Sequence, residues 1–473
     1  MTYQWWSLIP FVLMLGSIAI LPLVPATAHH FEKPGVQLAL ALILGVPVAL
    51  AVWFLADDPN RVVHALVEYV QFITLILSLF VVSGAIFLVG DIRATPANNT
   101  LFLAVGGAIA SFIGTTGAAM LLIRPLLRTN SERTLRAHTV VFTIFIVANC
   151  GGLLTPLGDP PLFLGMLRGV PFTWTFHLFP EWLFVNGMLL LTYYFLDRRM
   201  YAEEPASALE ADARGVEPLG LRGKLALVWF AVIVAAVAFL PSIDLHLIEI
   251  GQAKPIDWVP VRELVMLAAA AASYVIGNKS VRFEDNQFSW GPILEVAALF
   301  IGIFLTMIPA LKYLGQVAPS LPLDRVTFFI FSGGLSAVLD NAPTYATFFE
   351  MAAQLPGYPR VAGVPEVFLV SISLGSVLCG AITYIGNGPN FMVKSVAENQ
   401  GVPMPSFGGY VVWSFRYLVP ILTAMVLIFI AVSWWAHVLG IALTIGLIAR
   451  AIVTSRKHRT ETADDTDNSV AAG

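Results

Sequence analysis

Charge is what this chain has least of. Only 12% of its 473 residues are Asp, Glu, Lys or Arg, about half the share of a soluble domain. The net charge of −4 leaves no basic surface, so no nucleic-acid partner is expected. There are two cysteines, Cys150 and Cys379, both inside apolar segments. They suggest neither a disulfide framework nor a zinc site, and no resident metal is expected. The phosphate-binding pattern GxxxxGK[ST] is absent, so no nucleotide hydrolysis is expected of this chain and no cofactor is expected. The N-terminus lacks a charged n-region and an obvious cleavage site, so the first apolar segment is expected to be retained.

What is there is apolar: 58% of the residues are hydrophobic. The fold class this implies is an all-α integral membrane protein, with the lipid bilayer as its first partner. Apolar runs near spanning length lie at about 5–25, 36–55, 68–90, 139–165, 178–197, 221–241, 262–277, 291–311, 366–393, 410–433 and 434–452. Two more, 99–126 and 326–349, are interrupted by GTTGA at 114–118 and DNAP at 340–343. Each reads as a re-entrant hairpin of two half-helices; the alternative is one kinked spanning helix.

One segment occurs twice. Residues 155–163 read TPLGDPPLF and residues 383–391 read TYIGNGPNF, 228 positions apart. Gly and Pro at corresponding places in two apolar stretches point to broken helices and to a transporter binding site between them. Unwound backbone at that depth is tolerated only where protein buries it or a cavity meets it. The hairpins align too, SFIGTTGA at 111–118 over SAVLDNAP at 336–343.

Charge distribution gives the orientation. The loops 26–35, 91–98, 127–138, 197–224, 277–290, 394–409 and the tail from 450 hold 17 Lys and Arg, against 7 in the opposite set. The positive-inside rule then predicts about 11 crossings of the cell (inner) membrane, with the N-terminus outside and the C-terminus cytoplasmic. An odd number of crossings per half makes the repeats inverted. The expected organisation is a first repeat over 1–197 (hairpin 99–126, broken helix 139–165) and a cytoplasmic linker at 198–220. A second repeat follows over 221–433 (hairpin 326–349, broken helix 366–393), then a C-terminal helix at 434–452 and a disordered tail at 453–473.

Acids at membrane depth need a role. Asp159 lies in the first break and its repeat partner is Asn387; Asp340 lies at the second hairpin tip opposite Thr115; Glu295 lies one turn into an apolar helix. Helix capping is the plain alternative for the two aspartates, and an interfacial position for Glu295. Thr115, Thr116, Asn149, Thr155, Asp159, Asp340, Asn341, Thr383, Asn387 and Asn390 supply oxygens around the four breaks, as a hard cation such as Na⁺ requires. A carboxylate there can exchange a proton for a cation, and Asp159, Asp340 and Glu295 are the proton-coupling candidates. Cationic side chains in the apolar segments are few, Arg124 and Arg416, and both have the reach to snorkel. That favours a small inorganic cation over an organic anion.

These motifs resemble the ion transporter superfamily. The residues concerned are Asn149-Cys-Gly-Gly-Leu-Leu-Thr155-Pro-Leu-Gly-Asp159-Pro-Pro161, Leu339-Asp340-Asn341-Ala-Pro343 and Thr383-Tyr-Ile-Gly-Asn387-Gly-Pro-Asn390. The closest similarity is to NhaD-type sodium/proton antiporters and to citrate-transporter-like (CitMHS-type) proteins. The resemblance implies a homodimer with a scaffold and an elevator-like transport domain, substrate lying between hairpin tips and broken helices. The sodium/dicarboxylate branch has Ser-Asn-Thr at both tips; here they read Gly-Thr-Thr and Asp-Asn-Ala, which adds an acid. The first expectation is therefore a sodium (lithium)/proton antiporter. The alternatives are a citrate or other carboxylate symporter and an arsenite-type anion carrier. An enzyme is not expected, since no nucleophile–base pair or metal cluster lies at membrane depth.

Overall fold

The computed structural model describes residues 3–31 and 33–470. It is 76% helical with almost no sheet, an all-α membrane protein. Six helices among the described residues are long and apolar enough to cross a bilayer: Pro34–Leu55, Pro59–Ser83, Pro96–Ile113, Gly291–Ser320, Phe407–Ile430 and Trp434–Ser455. Five coincide with expected spans, and the sixth, Pro96–Ile113, is the first arm of the first hairpin. Shorter apolar helices follow at Trp5–Ile20, Ala137–Leu153, Leu225–Phe239 and Glu366–Ile382.

Four breaks interrupt the apolar helices. Pro96–Ile113 and Thr115–Thr129 meet at Gly114, whose φ of 81° is in the left-handed region that a side chain resists. Arg325–Ser336 and Asn341–Ala353 are joined by a turn over 337–340. In the first broken helix Ala137–Ile146 gives way to irregular backbone and resumes as Pro160–Leu167. In the second, Glu366–Leu378 resumes as Gly388–Asn399.

Matching hydrogen bonds recur in the two halves. Ser111 Oγ donates to the Gly151 carbonyl at 2.5 Å, and Ser336 Oγ to the Ser376 carbonyl at 2.6 Å. Thr155 Oγ1 donates to Ser111 O, and Thr383 Oγ1 to Ala337 O at 2.5 Å. Each hairpin is thus stitched through one Ser and one Thr to the broken helix that follows it.

Two packing groups result. The helices Ile9–Ile20, Pro34–Leu50, Pro59–Ser83, Leu225–Phe239, Val261–Ile276 and Gly291–Val317 pack on one another. The hairpins, both broken helices, Phe179–Ala202 and Phe407–Ile430 form the second group, with Trp434–Val470 packed on Phe179–Ala202. Contacts between the groups run from Pro59–Ser83 and Gly291–Val317 to the hairpins and to Pro160–Leu167.

Three details differ from the sequence reading. The third span starts at Pro59, not 68, because proline is well placed in a first helical turn. Its apolar end, Phe87–Asp91, is a strand paired antiparallel with Glu217–Arg222 of the linker, Leu88 opposite Leu221. Aromatic and branched residues suit a strand as well as a buried helix. The linker itself is docked: it carries the helix Ala206–Arg214, and Asp212 accepts from Ala94 N at 2.9 Å. Glu204 accepts from Thr134 N and Leu135 N, both at 2.9 Å, and from Thr134 Oγ1 at 2.7 Å. Arg133 pairs with Glu204 and with Asp197, and Asp197 also meets His138 at 2.7 Å. The last helix, Trp434–Val470, continues beyond its apolar segment into the polar tail, of which residues 471–473 lie outside the described residues.

Candidate transport site

Asp159 is the residue on which the four breaks converge. It is the N-cap of Pro160–Leu167, yet its side chain makes no capping bond. Pro160 and Pro161 follow it and have no N–H to offer, so the carboxylate is released from the role that Asp usually plays at a helix start. It turns outward instead. Thr115 Oγ1 from the first hairpin donates to Oδ1 at 3.1 Å, and Asn341 Nδ2 from the second hairpin to Oδ2 at 2.5 Å. Asn387 Nδ2 from the second broken helix reaches Oδ1 at 3.5 Å. Asp159 is 1% exposed. No Lys, Arg or His forms an ion pair with it among the described residues.

A second tier of amides supports this cluster. Asn387 Nδ2 also donates to Asn149 Oδ1 at 3.1 Å. Asn149 Nδ2 donates to Asn390 Oδ1 at 2.6 Å and to Ile144 O at 2.8 Å. Asn390 Nδ2 holds Gly380 O and Thr383 O at 2.8 and 2.9 Å. The asparagines therefore bond the carbonyls that broken helices leave open. Asn341 Oδ1, fully buried beside Asp159, receives no donor. An unsatisfied buried oxygen is costly unless something fills it, and its chemistry fits a hard cation.

Glycines let the backbones cross. A Cβ on Gly158 would lie 2.1 Å from Gly152 O, and one on Gly386 would lie 2.6 Å from Gly380 O. Gly158 O accepts from Thr115 N at 2.8 Å, tying the first break to the hairpin tip. The helices Thr115–Thr129, Asn341–Ala353, Pro160–Leu167 and Gly388–Asn399 all begin here. Their N-terminal ends carry partial positive charge, which offsets the lack of cationic side chains.

The remaining candidates stand elsewhere. Thr155 and Thr383 are used in the stitches to the hairpins. Asp340 is a capping residue: its Oδ1 accepts from Ala342 N at 3.1 Å at the start of Asn341–Ala353. Thr116 faces away from Asp159, into a small cavity of about 90 Å³. Glu295 is exposed and accepts from Gln37 Nε2 at 2.9 Å, bonding two helices of the first packing group rather than the cluster.

A larger cavity, about 920 Å³, opens between the two packing groups. Its walls come from Pro59–Ser83, Gly291–Val317, Asn341–Ala353 and the end of Pro160–Leu167. The small cavity is walled by the opposite ends of Pro59–Ser83 and Gly291–Val317, by Thr115–Thr129 and by Met392 of Gly388–Asn399. The second cavity has about a tenth of the volume of the first. Arg168 crosses the larger one, donating to Ala346 O at 3.2 Å and pairing with Glu68 at 3.4 Å. Sequence reading missed this pair because Glu68 was taken as a span boundary; a start at Pro59 places it among apolar neighbours, where an acid calls for a partner.

No curated protein matches the chain. A family model described as "Putative citrate transport" (CitMHS_2) matches residues 1–430, nearly the whole sequence. The chain belongs to that family of citrate-transporter-type membrane proteins.

Proposed function

We propose that the protein is a secondary transporter of a citrate-class carboxylate, coupled to an ion gradient through a cation, H⁺ or Na⁺, held at Asp159. The observation that carries this reading is the buried Asp159 carboxylate, bonded from three other breaks in a chain of the citrate-transport family. A carboxylate without a cationic neighbour at membrane depth favours a bound proton or metal cation. The cargo anion is accommodated by the four helix N-termini that converge on the same point. Binding of the cation and the anion is then cooperative, since each lowers the cost of bringing the other's charge into the site.

Sodium/proton antiport is the second reading, favoured by the lack of any Lys, Arg or His ion pair at Asp159 among the described residues. Na⁺ and H⁺ would compete there for one carboxylate. The two readings part in proteoliposomes of the purified protein. Carboxylate transport predicts accumulation of labelled citrate when an inward H⁺ or Na⁺ gradient is imposed. Proton flux evoked by Na⁺ or Li⁺ with no citrate uptake would select antiport instead.

A further inference from the structure

We infer that Arg124 is the carboxylate-binding side chain of a second anion site, in the small cavity on the face that the charge distribution assigns to the cytoplasm. The inference rests on the carboxylate reading above. Arg124 lies on the second arm of the first hairpin, eight residues beyond Thr116 and on the same cavity wall. It is half-buried, and it makes no hydrogen bond, ion pair or ring contact among the described residues. A guanidinium in that position lacks the planar acceptor it is built to bind. The cavity supplies neutral hydrogen-bonding groups around it, Thr116, Gln287 and Ser289, beside Ser83 and Asn286, whose donors are spent on Phe80 O and on Gly84 O and Ile86 O. None of its lining residues is acidic.

A second arginine adds to the local field. Arg282 is 1% exposed and lies directly behind Gly84, with Nη1 3.4 Å from where a Cβ on that glycine would be. It donates to Val81 O at 2.6 Å and Ser273 O at 3.0 Å and faces the rings of Tyr274 and Phe288. It has no carboxylate partner among the described residues. Of the two acids that follow it in the chain, Glu284 accepts from Ser280 Oγ at 2.7 Å and Asp285 is paired with Arg222 at 2.6 Å. The cavity is thus positive on balance, whereas the large vestibule mixes both signs, with Arg61 on Asp58 and Arg168 on Glu68. A site with an unpaired arginine at its wall, a second arginine behind it and the neutral groups of Thr116, Gln287 and Ser289 selects a carboxylate over a cation. Its position between the first hairpin and the first packing group makes it an exit station for cargo leaving Asp159. It is small, about 90 Å³.

The test compares citrate transport measured from each face, in intact cells and in everted membrane vesicles, for Arg124→Gln and Arg124→Lys. The expected result is a KM on the cytoplasmic face raised about tenfold or more by Arg124→Gln, an intermediate rise in Arg124→Lys, and an outer-face KM within about twofold of wild type. Thr116→Val, which removes one neutral donor and no charge, should raise the cytoplasmic KM only about twofold to fivefold. Citrate transport with unchanged KM on both faces in Arg124→Gln would overturn this site alone. Absence of citrate flux in the wild type would instead take down the carboxylate reading, and the anion site with it.

Discussion

Adding one methyl group at Gly158 tests whether the crossing of the two break segments positions Asp159. A Cβ there would sit 2.1 Å from Gly152 O, so the chains must part by about 1 Å to restore ordinary contact. The atom that moves belongs to the residue whose carbonyl accepts from Thr115 N at 2.8 Å. Losing that bond in a buried place costs about 1–3 kcal/mol, and overpacking costs about 1–3 kcal/mol more. A total of about 2–6 kcal/mol is expected, together with a shift of Asp159 away from Thr115 and Asn341. Gly388→Ala is the control, because nothing lies within 4 Å of its Cβ position although it is in the second break. Thermal unfolding in detergent and citrate uptake should both fall sharply for Gly158→Ala and stay near wild type for Gly388→Ala. Equal behaviour of the two variants would refute the idea that a close backbone crossing holds the site.

Other expectations follow from the same geometry. Burial alone would raise the Glu204 carboxyl, but the bonds from Thr134 and Leu135 and the charge of Arg133 hold it below the usual range. Its contribution to stability is complete above the unfolded value, about 4.3, and is lost as pH falls through the lower folded one. Glu204→Gln should therefore lower the melting temperature at neutral pH, by up to about 4 kcal/mol of stability, and flatten the acid limb of a stability–pH curve. An unchanged acid limb would contradict the assignment. Glu295→Gln should keep gradient-driven uptake within about twofold of wild type, because Glu295 bonds Gln37 outside the cluster; loss of coupling in that variant would restore it as a proton site.

The sequence was most legible where the chain repeats itself. TPLGDPPLF and TYIGNGPNF mark the stretches where helices are interrupted, and Ser111 and Ser336, aligned in SFIGTTGA and SAVLDNAP, each donate to a carbonyl of the helix break that follows. Asp159, Thr115, Asn341 and Asn387 were all visible as polar residues at the breaks. Which of them touch was not visible, since it depends on how four helix ends meet in space. Thr116 and Thr115 are neighbours in sequence and look alike, yet a step of about 100° around the helix puts Thr115 on Asp159 and Thr116 at the small cavity. The docked linker was hidden for another reason: its polar composition matches that of a solvated loop, and only the positions of Arg133 and Asp197 reveal what Glu204 bonds. The large cavity was illegible because its walls, charged and apolar, come from helices far apart in the sequence.

The central claim is that Asp159 holds the coupling cation, and Asp159→Asn tests it most directly. The substitution keeps the shape and removes the charge. In proteoliposomes with an imposed H⁺ or Na⁺ gradient, wild-type protein should concentrate labelled citrate inside, and Asp159→Asn should not concentrate it at any pH, while running as a folded species in size-exclusion chromatography. Gradient-driven accumulation of citrate by folded Asp159→Asn protein, with the wild-type dependence on pH and Na⁺, would contradict the account.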